Sequence, residues 1–430
     1  METVLIAFIA LFALLLLGVP LGFGMGVVGT IGFAYVAGWD PALNMVGITS
    51  INAAMSYSFS VLPLFMLMGS LFAHSKMAEE LYSASYAMIG HRRGGLAMAT
   101  ILACGGFSAV SGSAMACAAT MTRISVPLMR SYGYSPGFAA GTVAAGATLD
   151  ILIPPSTPMV IYALLTETDL GRLMIAGFLP GLLTVACYLA VIATVAHIWP
   201  QLGPAGQKST WAERFAAIRQ VWALVALFGV VLGGIYFGVF TPTEAAGIGA
   251  LGALILAVLR RRLTWPKLAA ILVETVHATA SLLAVLVGAL IFANFVTVTG
   301  ATADLEQWVG SMNLSATALI LAILVIYIVL GCVLEGTAMM LLTIPIFFPI
   351  VVAAGIDPIW FGIFVVIMAG VGSIHPPMGI LLFVVRALVP DLRTNTIFAG
   401  VAPYLAGDLV RIALLIAFPS IVLLLPSLMK

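Results

Sequence analysis

Two short stretches hold oxygen ligands where an apolar chain has little use for them. One reads LDILIPPSTPMVIYA, Leu149 to Ala163, with a carboxylate at Asp150 and hydroxyls at Ser156 and Thr157; Thr148 stands just before it. The other reads GVGSIHPPMG, Gly370 to Gly379, with Ser373, His375 and a second proline pair, Pro376 and Pro377, matching Pro154 and Pro155. Proline has no N–H and disfavours helix in the residue before it. In hydrocarbon every backbone polar group needs a partner. A Pro-Pro pair at membrane depth therefore marks an interrupted helix. Its freed carbonyls suit a cation, and half-helix N-termini suit an anion.

Two further stretches supply the remaining oxygen atoms. FSAVSGSAMACAA, from Phe107, carries Ser108, Ser111, Gly112 and Ser113; LGCVLEGTAMM, from Leu330, carries Glu335, Gly336 and Thr337. A first candidate cation site combines Ser108, Ser111, Gly112 and Ser113 with Thr148 and Asp150. A second combines Glu335, Gly336 and Thr337 with Gly370, Gly372 and Ser373. Carbonyls, hydroxyls and carboxylates are the ligands a hard cation prefers. For a single serine, small-residue helix packing competes evenly with that role. A charged carboxylate at membrane depth costs roughly 2.5–3.5 kcal/mol on insertion scales, so Asp150 and Glu335 call for a function or a polar partner. Glu335 has the alternative of shaping its own turn. His375 has three: binding a carboxylate, carrying a proton, or hydrogen-bonding a carbonyl. Ser156 and Thr157, with Pro154, Pro155, Pro376 and Pro377, are candidates to line a substrate cavity.

Positioning these residues falls to membrane spans. The chain has 430 residues, 63% hydrophobic and 8% charged. Soluble domains run near 25% charged, so this is an integral membrane protein. Apolar runs predict an all-α fold with about 11 transmembrane helices. A net charge of +1 excludes a nucleic-acid partner. The four cysteines form no C-x-x-C and read as packing residues. The N-terminal apolar run lacks a basic n-region and reads as a retained span rather than a signal peptide.

Basic residues cluster at Arg92-Arg93, Arg123 with Arg130, Lys208 with Arg214 and Arg219, Arg260 to Arg262 with Lys267, and Arg386 with Arg393. The positive-inside rule puts all of them in the cytoplasm. Asp40, Glu167, Asp169, Asp304, Glu306 and Asp357 then fit the outer side. The apolar segment from Gly94 to Met129 is bracketed by basic residues at both ends, which makes it a re-entrant hairpin. The segment from Asn313 to Gly355 is bracketed by acids and makes a second, entering from the opposite side.

The two regions are repeats. Pro127, Gly133, Pro136, Pro154 and Pro155 recur as Pro349, Gly355, Pro358, Pro376 and Pro377 at one offset, 222 residues. Gly112 to Met115 resembles Gly336 to Met339, and AGFLP from Ala176 resembles AGVAP from Ala399. Inverted repeats with a broken helix in each half point to a secondary transporter whose site lies at the membrane midplane. Each break is expected to lie against the tip of its own hairpin.

At these residues the sequence resembles the large membrane subunit of TRAP transporters, the tripartite ATP-independent periplasmic family. SGSAMA at 111–116, IPPSTPMVIY at 153–162, FTPTEAAG at 240–247, TIPIFFPIVVAAGIDPIWFG at 343–362 and HPPMGILLFV at 375–384 carry the likeness. It runs over essentially the whole chain. It implies an elevator, in which a transport domain with two hairpins moves against a scaffold. It also implies sodium as the coupling ion with no organic cofactor, and a small organic acid as substrate. The implied partners are a periplasmic substrate-binding protein and a small four-helix membrane subunit, on a separate polypeptide, in the bacterial inner membrane. The divisions expected are scaffold spans and an interfacial arm at 1–93, a first transport repeat at 94–198, a central scaffold at 199–312, and a second transport repeat with the last span at 313–428. Within the repeats the hairpins are placed at 94–130 and 313–355, and the broken helices at 136–166 and 358–388. Asp150 and His375 depart from the family pattern, which more often has a neutral residue at the first position and Thr or Asn at the second.

Other polar residues read structurally. Asp408 and Arg411, three apart, suit an intrahelical pair, and so do Glu274 and His277. Glu244, after Pro242, suits a helix N-terminus. Residues 76–93 read as an amphipathic interfacial helix. Trp199, Trp211, Trp222 and Trp265 read as interfacial anchors. Two competing functions are a free-standing sodium/carboxylate elevator and an intramembrane enzyme using Asp150, Glu335, His375 and Ser113. No G-x-S-x-G or H-E-x-x-H motif supports the enzyme.

Overall fold

Pro136 and Pro358 each open a helix at its first turn, where the missing N–H costs nothing. Each is preceded by a glycine in the left-handed region, Gly133 at φ 80° and Gly355 at φ 75°. This shared punctuation makes the two repeats run alike in the computed structural model, which describes residues 2–75, 77–261 and 263–429. Lys76, expected in the interfacial helix, and Arg262, in a basic cluster, lie outside the described residues, as do Met1 and Lys430.

The first repeat runs as a hairpin of Gly95–Ser111 and Ala114–Ser131, then Pro136–Ala147, one turn at Leu149–Leu152, Thr157–Thr166, and a long helix Leu170–Ile198. The second runs as Ala316–Gly331 and Gly336–Ala353, then Pro358–Gly372, Ile380–Leu388 and Thr394–Ala417. Both breaks contain a cis Pro-Pro bond. Among the described residues there is no strand.

The two hairpins start and end on opposite faces. On the face rich in basic residues, Gly94 N–H donates to the Gly203 carbonyl at 2.8 Å and Arg130 pairs with Asp391 at 2.9 Å. Both ends of the first hairpin are thereby on that face. Arg214 donates to the Ala87 carbonyl, and Arg260 pairs with Glu80 there too. On the other face the Tyr162 hydroxyl donates to the Pro358 carbonyl at 2.6 Å. Ala316 and Gly355, at the two ends of the second hairpin, line one cavity of about 290 Å³. The repeats are inverted.

Among the described residues seven helices are long and apolar enough to cross a membrane, or eight with Trp39–Met55 and Tyr57–Ala73, bent by 51°, taken as one span. The sequence expectation of about 11 exceeds this; five further apolar helices, Glu2–Leu16, Leu21–Ala37, Gly95–Ser111, Ala316–Gly331 and Pro358–Gly372, are shorter. A 16-residue helix rises only about 24 Å, short of a hydrocarbon core of about 30 Å. Three of these five are hairpin arms or half-helices.

Close approach of backbones holds the repeats together. Pro136–Ala147, all Ala, Gly, Val, Thr and Phe after its proline, is buried throughout beyond Pro136. It packs on Thr394–Ala417, with Gly137 and Gly141 against Thr396 and Gly400. Small residues allow such contact where apolar burial supplies no drive between helices in lipid. Outside the repeats, Leu21–Ala37 packs on Trp265–Val298 through Gly22, Gly29 and Gly288.

The helix expected at the interface spans Met77–Ile89 and packs on the first hairpin, with Ala78 and Tyr82 buried there. Glu244 completes a capping box with Thr241, the residue that caps Pro242–Leu259. The expected Glu274–His277 pair does not form. Both side chains are exposed on the outward stripe of Trp265–Val298, and no ion pair joins them. An exposed pair gains about 0–1 kcal/mol, too little to hold two side chains together.

Candidate functional site

The first break sits under its own hairpin tip. Gly112, at φ 60°, ends one arm, and the Ser113 hydroxyl caps the other by accepting from Ala116 N–H at 3.3 Å. Gly69 lets the neighbouring helix pass the tip, since a Cβ there would stand 1.9 Å from the Ser111 carbonyl oxygen. Across from the tip, the Ser111 hydroxyl donates to the Asp150 carboxylate. The Thr157 hydroxyl donates to the Gly112 carbonyl at 3.0 Å. Asp150 is 2% exposed and Ser111 4%. Ser108, one helical turn before Ser111, is fully buried, and its hydroxyl has no partner. Hydroxyl and carboxylate oxygens gathered at a tip and a break are ligands of the kind a hard cation takes.

Thr148 stands at the N-cap of the one-turn helix Leu149–Leu152, and Asp150 lies within it. The Thr148 hydroxyl donates to the Ala145 carbonyl at 2.7 Å and lies 3.2 Å from the Tyr188 hydroxyl. Ser156 points inward, its hydroxyl on the Ile151 carbonyl. It is 1% exposed, and Pro154 and Pro155 are buried beside it.

The second break mirrors this with changed chemistry. Glu335 caps Gly336–Ala353, accepting from Thr337 N–H at 3.1 Å and Ala338 N–H at 3.2 Å. Gly336 and Gly372 are contact points: a Cβ on Gly336 would lie 2.5 Å from the Ala369 carbonyl oxygen, and Gly331 faces Gly372. The Ser373 hydroxyl donates to the Ala369 carbonyl at 2.9 Å. His375 Nδ1 lies 2.7 Å from the Pro376 carbonyl and 3.4 Å from Cys332 Sγ. A carbonyl only accepts, so Nδ1 carries the proton and Nε2 is left as an acceptor. Pro377 and Met378 are exposed, unlike their counterparts in the first break.

The two breaks meet. Gly370 faces Thr148, its counterpart at the 222-residue offset. Equivalent residues touch where a two-fold axis passes. The carboxylates are distributed one to each half, but from opposite partners. In the first half the break supplies Asp150 and the tip Ser111. In the second the tip supplies Glu335, in the place of Ser111, while Gly372 stands in the place of Asp150.

Three partners had no signal in the sequence. Tyr188 donates to Asp408 Oδ1 at 2.8 Å, Arg411 pairs with the same oxygen at 3.1 Å, and Arg411 donates to the Thr184 hydroxyl at 2.8 Å. Tyr404 and Thr142 share a hydrogen bond at 2.7 Å. The Asp408–Arg411 pair forms as the spacing suggests, but fully buried and tied to a second helix.

Residues 8–421 match the family model described as "Tripartite ATP-independent periplasmic transporter, DctM component". The C4-dicarboxylate TRAP transporter large permease protein DctM of Pseudomonas aeruginosa is 36% identical over 388 residues, 90% of each chain. The sialic acid TRAP transporter large permease protein SiaM of Vibrio cholerae is 32% identical over 417 residues, 96% of each. Among solved structures, the YdaH transporter of Alcanivorax borkumensis, described as having an unusual topology, superposes with a TM-score of 0.62 at 14% identity. That match covers 88% of this chain and 89% of the other, and it speaks for the fold. The chain therefore belongs to the DctM component family of tripartite ATP-independent periplasmic transporters, a family of permease subunits and not of enzymes.

Proposed function

We propose that this chain is the large membrane subunit of a sodium-coupled importer of a small organic acid, working as an elevator in the bacterial inner membrane. The observation that carries the coupling is the Asp150 carboxylate, buried at a helix break and held by Ser111 of a hairpin tip. A monovalent hard cation suits that set of oxygen atoms. Glu335, Thr337 and Ser373 supply a related set in the second half. The relatives named for C4-dicarboxylates and sialic acid favour a carboxylate substrate. In this reading the pairs Pro154-Pro155 and Pro376-Pro377, with Thr157 and His375, border the substrate path. Residues 94–198 and 313–428 move against a scaffold made of 1–93 and 199–312.

Substrate arrives on a periplasmic binding protein, and a small membrane subunit accompanies this chain. The test is uptake into proteoliposomes holding both membrane subunits, with the binding protein outside. Uptake is expected to need an inward sodium gradient and to be nearly absent at micromolar substrate without the binding protein. Full uptake on a proton gradient alone overturns sodium coupling. Equal uptake without the binding protein overturns the tripartite reading in favour of a free-standing transporter.

A further inference from the structure

The helix Thr394–Ala417 belongs to the second repeat, yet it grips the broken helix of the first. Tyr404 reaches Thr142, and six residues further along the broken helix Asp408 reaches Thr148 through Tyr188. Tyr188 has one phenolic proton, and it lies on Asp408. The phenol oxygen can then only accept from Thr148, whose single proton is shared between it, at 3.2 Å, and the Ala145 carbonyl, at 2.7 Å. Arg411 pairs with the same Asp408 oxygen that accepts from Tyr188 and lies over the Tyr188 ring, 5.9 Å from its centroid. Thr148 leads directly into the single turn that presents Asp150 to Ser111. Arg411, Asp408, Tyr188, Thr148 and Asp150 are each 2% exposed or less. Hydrogen bonds and the ion pair thus link one repeat's last helix to Thr148, which the backbone joins to the turn that carries Asp150.

Stability alone does not account for these links. Asp408 Oδ2 and Arg411 Nε are both buried without a partner. Buried ion pairs are often replaced by apolar residues at no loss of stability. We propose that Asp408 and Arg411, acting through Tyr188, are positioning residues: they fix the first break so that Asp150 stands in register with the tip. The link to cation coupling rests on the function proposed above; the positioning of the break does not.

The test uses the full-length complex and the variant Tyr188→Phe, which removes one hydroxyl and keeps the ring. Hydrogen–deuterium exchange is read at the peptide covering Thr148 to Ile153, and the half-saturating sodium concentration is read in proteoliposomes. Exchange at the break is expected to quicken by about tenfold, with other helices unchanged. The sodium requirement is expected to rise about threefold or more, with half-saturation by loaded binding protein unchanged at high sodium. The double variant Asp408→Asn with Arg411→Gln removes both charges and keeps an acceptor for Tyr188. It is expected to quicken exchange at the break by about threefold, because an amide without a guanidinium beside it fixes the phenol less firmly, and parent-like exchange there overturns the role of Asp408 and Arg411. Unchanged exchange at the break in Tyr188→Phe overturns the positioning role, whatever the sodium response. So does exchange that quickens throughout the molecule. Local quickening in a protein whose parent shows no sodium dependence supports the positioning role and removes the coupling reading instead.

Discussion

Asp150 is the residue on which the proposed coupling rests. Its carboxylate lies at a break where the helix ladder no longer occupies every carbonyl, and Ser111 donates to it. Asp150→Asn keeps an acceptor for that hydroxyl while removing the charge. The half-saturating sodium concentration is expected to rise about tenfold or more, equal to about 1.4 kcal/mol, with the melting temperature in sodium-free buffer little changed. Sodium titration of uptake checks the first, and thermal unfolding in detergent the second. Asp150 was legible in the sequence because an acid next to Pro-Pro in an apolar chain has few structural uses. Glu335 and His375 were legible only as sets of alternatives. The structure shows Glu335 capping a helix and His375 bonded to the Pro376 carbonyl, both outcomes of local backbone geometry that residue types do not fix. Tyr188, Thr184 and Tyr404 were not legible, since a tyrosine in an apolar helix looks the same whether its hydroxyl meets a partner 220 residues away or an interface.

At the scale of elements, glycine and proline carried the most information. They set the breaks and the turns, and their matched spacing disclosed the repeat before any contact was known. Hairpin ends followed from charge, because basic residues bracketed one apolar segment and acids the other. The span count was less legible, since hydropathy marks an apolar run and not the length of the helix it forms. Glycine contacts between helices give a direct test. A Cβ on Gly400 would stand 1.9 Å from the Gly137 carbonyl oxygen. Gly400→Ala is expected to separate Thr394–Ala417 from Pro136–Ala147 and destabilise by about 1–3 kcal/mol, the usual range for overpacking. Gly247, on the scaffold helix Pro242–Leu259, has nothing within 4 Å of a built Cβ. Gly247→Ala is expected to be neutral or to stabilise by up to about 1 kcal/mol through helix propensity. Thermal unfolding of the two variants, side by side, separates backbone contact from a general intolerance of glycine replacement.

For the whole molecule, the inverted repeats supply two related arrangements around one axis near Thr148 and Gly370. In this structure the halves differ: the first break is covered by its tip, whereas Pro377 and Met378 of the second are exposed. An elevator exposes its site to one side at a time. The most direct measurement is side-specific labelling of Met378→Cys, in a background with the four native cysteines replaced, using a membrane-impermeant thiol reagent. Oriented vesicles holding both membrane subunits are labelled with and without sodium and loaded binding protein. The expected result is that the accessible side, or the balance between sides, changes with those ligands. Reference cysteines at Gln207 and Asp304 should label from opposite sides throughout. Labelling of Met378→Cys from one fixed side, at a rate that neither sodium nor substrate alters, would contradict a moving, sodium-coupled transport unit.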